Sequence, residues 1–450
     1  MFRYFLVPFL CIFCYQIYSQ NLIILVSSDS IIGYKINEKP VRDFLGNVHL
    51  RQGNVDLFCN KATHYIEENR VFLSGSVKIT QDTIVLISEN VDYDGNKLLA
   101  SAYGKIMIYD PATKLTANKG TYSFRSKTAD FFGNVIYEEK KSKLKAEHIE
   151  YIKPSELIRS YENVKFETDS LLLESDTMFI YRIEEKIFSV SNVKLNGKFE
   201  PINLNSYFLF VDNKQGVTKA YGDPSLILTD TIKPESESEV ESFRLDSLFV
   251  FADTILAIND GNGKTELIFI SNIKLFKDNF AAIAGYGKIY RDTEEGYLKQ
   301  NPILWYDSTE FKGDSVFFVL KGRSLSFVRI SGNGKILSPS HLDSLYVHRI
   351  LSDTINIFFS EKQLDYIFGV GNSKTNYFLK NEETQEIQLA NYSSDSVKID
   401  FHNNEVLDVV WYNNVSGEVI PEIIFKKDFE KYYDIPKNYL VLKPMILKFR

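Results

Sequence analysis

The sequence is poor in cysteine. It contains three, and because Cys11 and Cys14 fall before residue 21, Cys59 alone remains in the rest of the chain. A single cysteine has no partner for an internal bridge, which excludes a disulfide-stapled fold for residues 21–450. We interpret Cys59 as a small buried apolar side chain rather than a reactive thiol.

Proline, glycine, basic tracts and long apolar runs are also scarce. The 12 proline and 23 glycine residues are too few for a collagen-like or low-complexity chain. Charges of both signs are mixed along the sequence and give a formal net charge of -7, which argues against nucleic acid as a partner. After residue 20 no stretch approaches the ~18 consecutive apolar residues expected of a transmembrane helix.

Residues 1–20 have the order of a secretory signal peptide. Arg3 precedes an apolar run from Tyr4 to about Phe13, and small or polar residues follow at Ser19 and Gln20. We predict cleavage near Gln20 and export of the mature chain. Two alternatives are an uncleaved membrane anchor and lipid attachment at Cys11 or Cys14, although neither cysteine follows a small-residue lipobox.

The chain is rich in aromatic residues and carries a repeat. Its 34 Phe and 27 Tyr favour β-structure. Six short motifs, GNVHL, GSVKI, GKIMI, GNVIY, ENVKF and SNVKL, recur with a 29-residue period, starting at Gly46, Gly75, Gly104, Gly133, Glu162 and Ser191. Self-similarity at this period is the signature of a structure that stacks one supersecondary unit.

One repeat is predicted to contain two strands and two tight turns. The motif alternates apolar and polar residues, as half-buried strands do, and its glycine marks a bulge or bend. The second strand keeps the same register, with small residues at Cys59, Ser88, Ala117, Ala146 and Ser175 and rings at His64, Tyr93, Tyr122 and Tyr151. We interpret these rings as cross-strand packing groups.

The repeat loosens after Leu195, but the pattern continues. Residues 206–228 and 246–254 resemble earlier strands, and further units start at Ser271, Gly287, Gly332 and Asn413. The acidic, serine-rich stretch 231–242 is predicted to be an exposed loop and the one internal boundary. We therefore divide the chain into a signal peptide (1–20), regular repeats (21–230), the acidic loop (231–242) and degenerate repeats (243–450). Whether there is one continuous groove or two jellyrolls that meet at the loop stays open.

No catalytic or metal-binding pattern stands out. The histidines have no metal-ligand spacing, and there is no nucleophile elbow, phosphate loop or nucleotide fingerprint; they are His49, His64, His148, His341, His348 and His402. We expect a protein that is not an enzyme and that has no metal or cofactor. A polysaccharide-active β-helix enzyme is the remaining catalytic alternative, since its site would be a cluster on one face.

Two segments resemble a known family. FLSGSVKITQDTIVLISENVDYD (residues 72–94) and FFGNVIYEEKKSKLKAEHIEYI (residues 131–152) resemble the OstA-like family of periplasmic lipopolysaccharide-transport proteins, and the similarity extends from about 41 to 195. The resemblance implies an all-β fold, an elongated open β-jellyroll that we expect to be built from the 29-residue two-strand repeats. It also implies that acyl chains lie in the groove between two sheets and that jellyrolls join end to end through terminal strands.

On this basis we predict a bridge-type or accessory lipid carrier in the periplasm, with association at the outer membrane left open. Its partners would be lipopolysaccharide or lipid A and other lipopolysaccharide-transport proteins, and self-association is a further option. The predicted groove residues are Val48, Val77, Ile79, Ile106, Ile108, Val135, Val164 and Val193. The alternatives are that these residues fill a dry core, and that the protein is a structural or adhesive β-solenoid at the cell surface.

Overall fold

The computed structural model describes residues 22–199, 201–232, 244–261, 264–277, 280–321, 324–340, 342, 346–360, 363–381, 383–402 and 405–427. The predicted signal peptide and nearly all of the predicted acidic loop lie outside the described residues. Among the residues described, no helix is both long enough and apolar enough to cross a membrane. The chain separates into two compact units, Met1–Lys140 with Lys145–Pro154, and Lys141–Leu144 with Ser155–Arg450.

The fold is all-β, as predicted, with consecutive antiparallel strands. The first unit contains β1 Ile24–Ser27, β2 Ser30–Ile36, β3 Lys39–Gln52, β4 Val55–Tyr65, β5 Arg70–Gln81, β6 Ile84–Asp94, β7 Leu99–Tyr109, β8 Lys114–Ser123, β9 Thr128–Glu138 and most of β10 Ser142–Ile152. From β3 to β9 each strand pairs with the next, whereas β1 and β2 both pair with β3.

The second unit continues the same pattern. Its strands are β11 Leu157–Thr168, β12 Leu171–Tyr181, β13 Lys186–Gly197, β14 Ile202–Asp212, β15 Val217–Tyr221, β16 Ser225–Ile232, β17 Arg244–Phe251, β18 Thr254–Asn259, β19 Thr265–Lys277, β20 Phe280–Tyr290, β21 Glu295–Lys299, β22 Ile303–Tyr306, β23 Thr309–Lys312, β24 Ser315–Lys321, β25 Ser324–Pro339, β26 Val347–Ser360, β27 Gln363–Lys380, β28 Ile387–His402, β29 Glu405–Tyr412 and β30 Ser416–Pro421. A short helix, α1 (Glu422–Phe425), follows β30 and buries Phe425.

The recurring motif forms a bulge in the middle of its strand. At Gly75 and Ser76 the backbone has φ values of 75° and 50°, and the register with β6 shifts between Ser74 and Val77. Glycine adopts this left-handed conformation without steric cost, and the extra residue bends the strand. Equivalent left-handed pairs occur at Gly46 and Asn47, Gly133 and Asn134, Glu162 and Asn163, Ser191 and Asn192, Ser271 and Asn272, and Gly332 and Asn333.

A polar side chain from an adjacent strand, or from the bend just before it, covers each of several bulges. Asn47 Nδ2 donates to Asp29 Oδ2 at 3.0 Å, and Asn192 Nδ2 donates to Asp176 Oδ2 at 2.7 Å. The same Asn–Asp pair recurs in the second unit at Asn272 with Asp253, Asn333 with Asp314, Asn372 with Asp353, and Asn414 with Asp395. The degenerate repeats thus keep the bulge after they lose the 29-residue spacing.

The first unit is folded over on itself at these bulges. Tyr93 of β6 lies in the same row across the sheet as Arg42, near the start of β3, because the paired residues run from Tyr93 through β5 and β4 to Arg42. Gln52 lies ten residues beyond Arg42 on β3, which is roughly 33 Å along an extended strand. Tyr93 Oη nevertheless donates to Gln52 Oε1 at 2.9 Å. The two halves of each strand therefore face one another across an interior, as in a jellyroll.

The second unit folds over in the same way. Tyr306 lies in the same row across the sheet as His348, at the start of β26. The row runs from β22 through the paired strands β23 and β25 to β26. Phe359 lies eleven residues beyond His348, or roughly 36 Å along the strand, yet its ring centroid is 5.1 Å from that of Tyr306. At β20 the two strand halves pair with separate strands, β21 and β22, and the motif at Gly287 carries no left-handed pair.

Candidate functional site

The eight predicted groove residues all lie on the inward face. Their exposed fractions run from 0 to 9%; the residues are Val48, Val77, Ile79, Ile106, Ile108, Val135, Val164 and Val193. Six of them belong to the first unit, while Val164 and Val193 belong to the second. The first inward position after each bulge of the regular repeats is a β-branched residue, which suits a strand with one buried face. That this interior takes a lipid stays a prediction.

Exposure of the inward face is greatest at the later regular repeats. In the first unit the second inward position after the bulge holds Leu50 and Ile79, both 0% exposed, and then Ile108, which is 9% exposed. In the second unit the same position holds Phe166 and Leu195, which are half-buried. The apolar interior is thus accessible from solvent at these two positions.

Small residues occupy inward positions on the opposite half of the strands. In the first unit Ala62, Ala100, Ala102 and Ala129 all face inward and are at most 4% exposed. Of these four, Ala129 lines the pocket described below. The sequence pattern did not identify these inward positions.

The two ends of the folded strands meet on the side opposite the bulges, and we call this edge, which contains Gln52 and Tyr93, the mouth of the groove. Polar side chains join the two strand halves there. Besides accepting from Tyr93, Gln52 donates through Nε2 to the carbonyl oxygen of Gly95 at 2.8 Å. Burial raises the pKa of Tyr93, so its hydroxyl stays protonated and able to donate. Gln52 is 2% exposed and Tyr93 is 0% exposed, so this part of the mouth is closed.

Charged residues replace this neutral contact further along the first unit. Lys153 Nζ lies 3.1 Å from Asp110 Oδ2, and Lys127 Nζ lies 3.9 Å from Asp82 Oδ2. Burial by itself would raise the pKa of Asp110, but hydrogen bonds from the Ala112 backbone and from Lys153 hold it below its usual value. The two ion pairs connect turns at opposite ends of the folded strands.

A pocket opens at this charged part of the mouth. Its cavity volume is about 30 Å³, and it opens to solvent. Its lining is mainly apolar and aromatic, with both lysines at the border; the apolar and aromatic residues include Ile84, Ile108, Leu115, Tyr122, Tyr137 and Tyr151. Only Ile108 of these six was among the predicted groove residues. The carboxylate of Asp110 also lines the pocket, beside the two lysines.

The residues at the mouth were missed by the sequence reasoning, although a signal for them exists. Gln52, Gln81 and Asp110 follow the 29-residue spacing, as do Tyr93, Tyr122 and Tyr151. The two series lie far apart in sequence, and only the fold-over of the strands brings them together. We interpreted the tyrosines as packing groups, whereas Tyr93 also donates across the mouth.

One cluster on the outer face contains possible metal ligands. Asp130, His148 and Glu150 each offer one ligand atom, and these atoms lie within 4.8 Å of one another. His148 Nε2 is 2.7 Å from Asp130 Oδ1, and its imidazole stacks on Phe132 at a centroid distance of 4.1 Å. A hydrogen bond and ring packing account for this geometry, so we assign no metal to it.

The fold and site define an all-β jellyroll-like protein with an apolar interior between two strand halves. Residues 20–176 match the family model described as OstA-like protein, so this part of the chain is similar to that family. The match covers the regular repeats that carry the mouth and the pocket. A search of curated proteins found no match.

Proposed function

We propose that this protein is a non-enzymatic periplasmic lipid carrier that holds lipid A acyl chains of lipopolysaccharide between the two halves of its strands and passes them towards the outer membrane. The observation that carries the proposal is the apolar inward face of successive repeats, which is only half-buried at Phe166 and Leu195. Burying acyl chains there would remove apolar surface of both partners from water.

The family match supports the choice of lipid. OstA-like proteins are lipopolysaccharide-transport components in general, and the matched residues contain the bulged repeats and the charged mouth. Alternation of apolar and polar residues gives each strand one face for a lipid and one face for water. Such a site needs no catalytic group.

The N-terminal strands supply a surface for a partner. Within the described residues β2 pairs with β3 alone, and its side chains are exposed throughout. The apolar residues Ile31, Ile32 and Ile36 are 55, 52 and 42% exposed. An apolar edge strand with one open side is a template for β-strand addition. We propose that another transport protein, or a second copy of this chain, pairs with β2 so that the grooves become continuous.

Site-specific photocross-linking tests the proposed lipid site. A photoreactive phenylalanine analogue at Phe166 would place the reactive group on the half-buried inward face with little change in shape. We expect it to cross-link lipopolysaccharide when cells that make lipopolysaccharide are irradiated. The product would be detected as a higher-mass band that reacts with antibody to lipopolysaccharide.

The matched control is the adjacent position. Lys165 points outward and is exposed, so the analogue there should give no lipopolysaccharide adduct. Equal labelling from Phe166 and Lys165, or no labelling from either position in folded protein, would refute the lipid-carrier function. The structural or adhesive solenoid would then become the favoured interpretation.

A further inference from the structure

The two cations at the mouth are not required by the repeat. One repeat earlier, the position of Lys153 holds Phe124, and the position of Lys127 holds Leu98. Asp110 likewise occupies the position that holds the neutral Gln81 and Gln52 in earlier repeats. Stacking of the repeats alone therefore does not explain the charges. Charge at these positions first appears at the pocket and continues one repeat later, where Arg182 pairs with Glu156.

The geometry combines cations with an apolar cavity. The side chains of Lys127 and Lys153 are 45 and 32% exposed, so their ammonium groups reach solvent while both residues border the pocket. Tyrosine rings and Leu115 lie beside them in the lining. Asp82, the partner of Lys127, is 57% exposed, and a 3.9 Å pair at the surface is weak. An incoming anion can replace such a carboxylate at small cost.

We propose that this pocket is a subsite for a phosphorylated lipid, with its phosphate at Lys127 and Lys153 and the adjoining acyl segment against the tyrosine rings. The inference rests on the proposed function and deepens it by naming the anionic group that this part of the groove recognises. Lysine ammonium groups bind phosphate as point charges, and hydrogen bonds between ionised partners are stronger than those between neutral ones. Asp82 neutralises Lys127 until the lipid phosphate takes its place, whereas Asp110 stays paired with Lys153.

The test compares two ligands and three variants in equilibrium titrations of the folded protein. The ligands are lipid A with both phosphates and the same lipid after removal of its phosphates, each in nonionic detergent micelles. We expect wild-type protein to prefer the phosphorylated form by about tenfold, equivalent to about 1.4 kcal/mol. The double variant Lys127→Gln, Lys153→Gln should lose this preference and bind the dephosphorylated lipid as before.

Two further variants protect the test against simple misfolding. Asp82→Asn should strengthen binding of phosphorylated lipid A, because it removes the competing carboxylate from Lys127. Lys119→Gln is the control, since Lys119 lies over the Phe132 ring on the outer face, 5.7 Å from its centroid. It should leave both affinities unchanged.

The outcomes separate this inference from the proposed function. Equal binding of both lipids by wild-type protein, unaffected by the lysine changes, would overturn the subsite and leave the lipid carrier standing. Binding of neither lipid would refute both. Inorganic phosphate is titrated alone as a third ligand, and lysine-dependent binding of phosphate as tight as that of lipid A would assign the site to free phosphate and overturn the lipid subsite.

Discussion

At Gly75 the backbone has a φ of 75°, and a Cβ added there would lie 3.0 Å from Asn60 Nδ2 and 3.1 Å from Asn60 Cβ. Both the conformation and the close approach call for glycine. The register shift at this residue turns the strand back over the interior. At this repeat a glycine in mid-strand thus provides the bend that folds the strand over the interior.

We predict that Gly75→Ala lowers the free energy of unfolding by about 1–2 kcal/mol, because alanine is strained in the left-handed region and its methyl group crowds Asn60. Urea unfolding monitored by circular dichroism would measure the change. Gly33→Ala is the matched control, since nothing lies within 4 Å of a Cβ built on Gly33. Equal effects of the two substitutions would contradict the role given to the bulge.

Cys59 provides a prediction about pH. Burial raises the pKa of its thiol to about 11 from a usual value of 9.0. Above pH 9 the unfolded chain loses this proton before the folded one does, so the contribution of Cys59 to stability should fall as pH rises from about 9 to about 11.

Comparison with Cys59→Ala in a background without Cys11 and Cys14 isolates the effect. The stability difference between the two proteins, from urea unfolding at each pH, should shift in favour of the alanine variant as pH rises over this interval. Folded protein should also react slowly with a thiol reagent at pH 8. Rapid modification without unfolding would argue that the thiol is accessible.

Residue-level prediction from the sequence succeeded where the controlling preference is local. The glycine of the motif and the small, buried series from Cys59 to Ser175 follow from backbone conformation and strand alternation, and the structure confirms both. The mouth was not predictable in this way. Gln52 and Tyr93 meet only after the strands fold over, so their contact cannot be predicted from local backbone or strand preferences.

At the scale of elements, the edge strand β2 differs from the strands that follow. It pairs on one side only within the described residues, whereas β5 pairs with both β4 and β6. Its apolar side chains have no described neighbour that would bury them. The strand is therefore the surface where association should be most sensitive to an added charge.

We predict that Ile32→Lys reduces self-association or partner binding while it changes the free energy of unfolding by no more than about 0.5 kcal/mol, because Ile32 is already 52% exposed. Light scattering coupled to size-exclusion chromatography would measure the association. Phe72→Lys is the control, since Phe72 is 45% exposed on a strand with neighbours on both sides. An equal loss of association in both variants would argue against strand addition at β2.

The contact between strand ends gives a second prediction at this scale. Tyr93→Phe removes the hydroxyl that donates to Gln52 at 2.9 Å in a buried site. We expect a loss of about 1–3 kcal/mol in the free energy of unfolding, measured by urea titration, because the amide oxygen loses a buried donor. Tyr103→Phe is the comparison, since Tyr103 is 50% exposed and should change stability little. Equal losses in the two variants would show that the contact across the mouth adds nothing specific.

For the whole molecule, the fold class could be predicted from the sequence. The pattern of bulge, alternating strand and turn repeats often enough to be recognised without knowledge of tertiary contacts. The bulges continue in the second unit. There they keep their Asn–Asp pairs, although the strict 29-residue spacing is lost. The charged pocket was not predicted. Its residues come from turns that are distant in sequence, and Lys127 and Lys153 look like ordinary exposed lysines until the fold brings them to one mouth.

The central claim is that the apolar interior holds the acyl chains of lipopolysaccharide, and native mass spectrometry of the mature protein tests it most directly. The protein would be purified from a host that makes lipopolysaccharide and then titrated with lipid A. The account predicts a stoichiometric lipid A adduct on folded protein. Folded protein that takes up no lipid A at any point of the titration would contradict it.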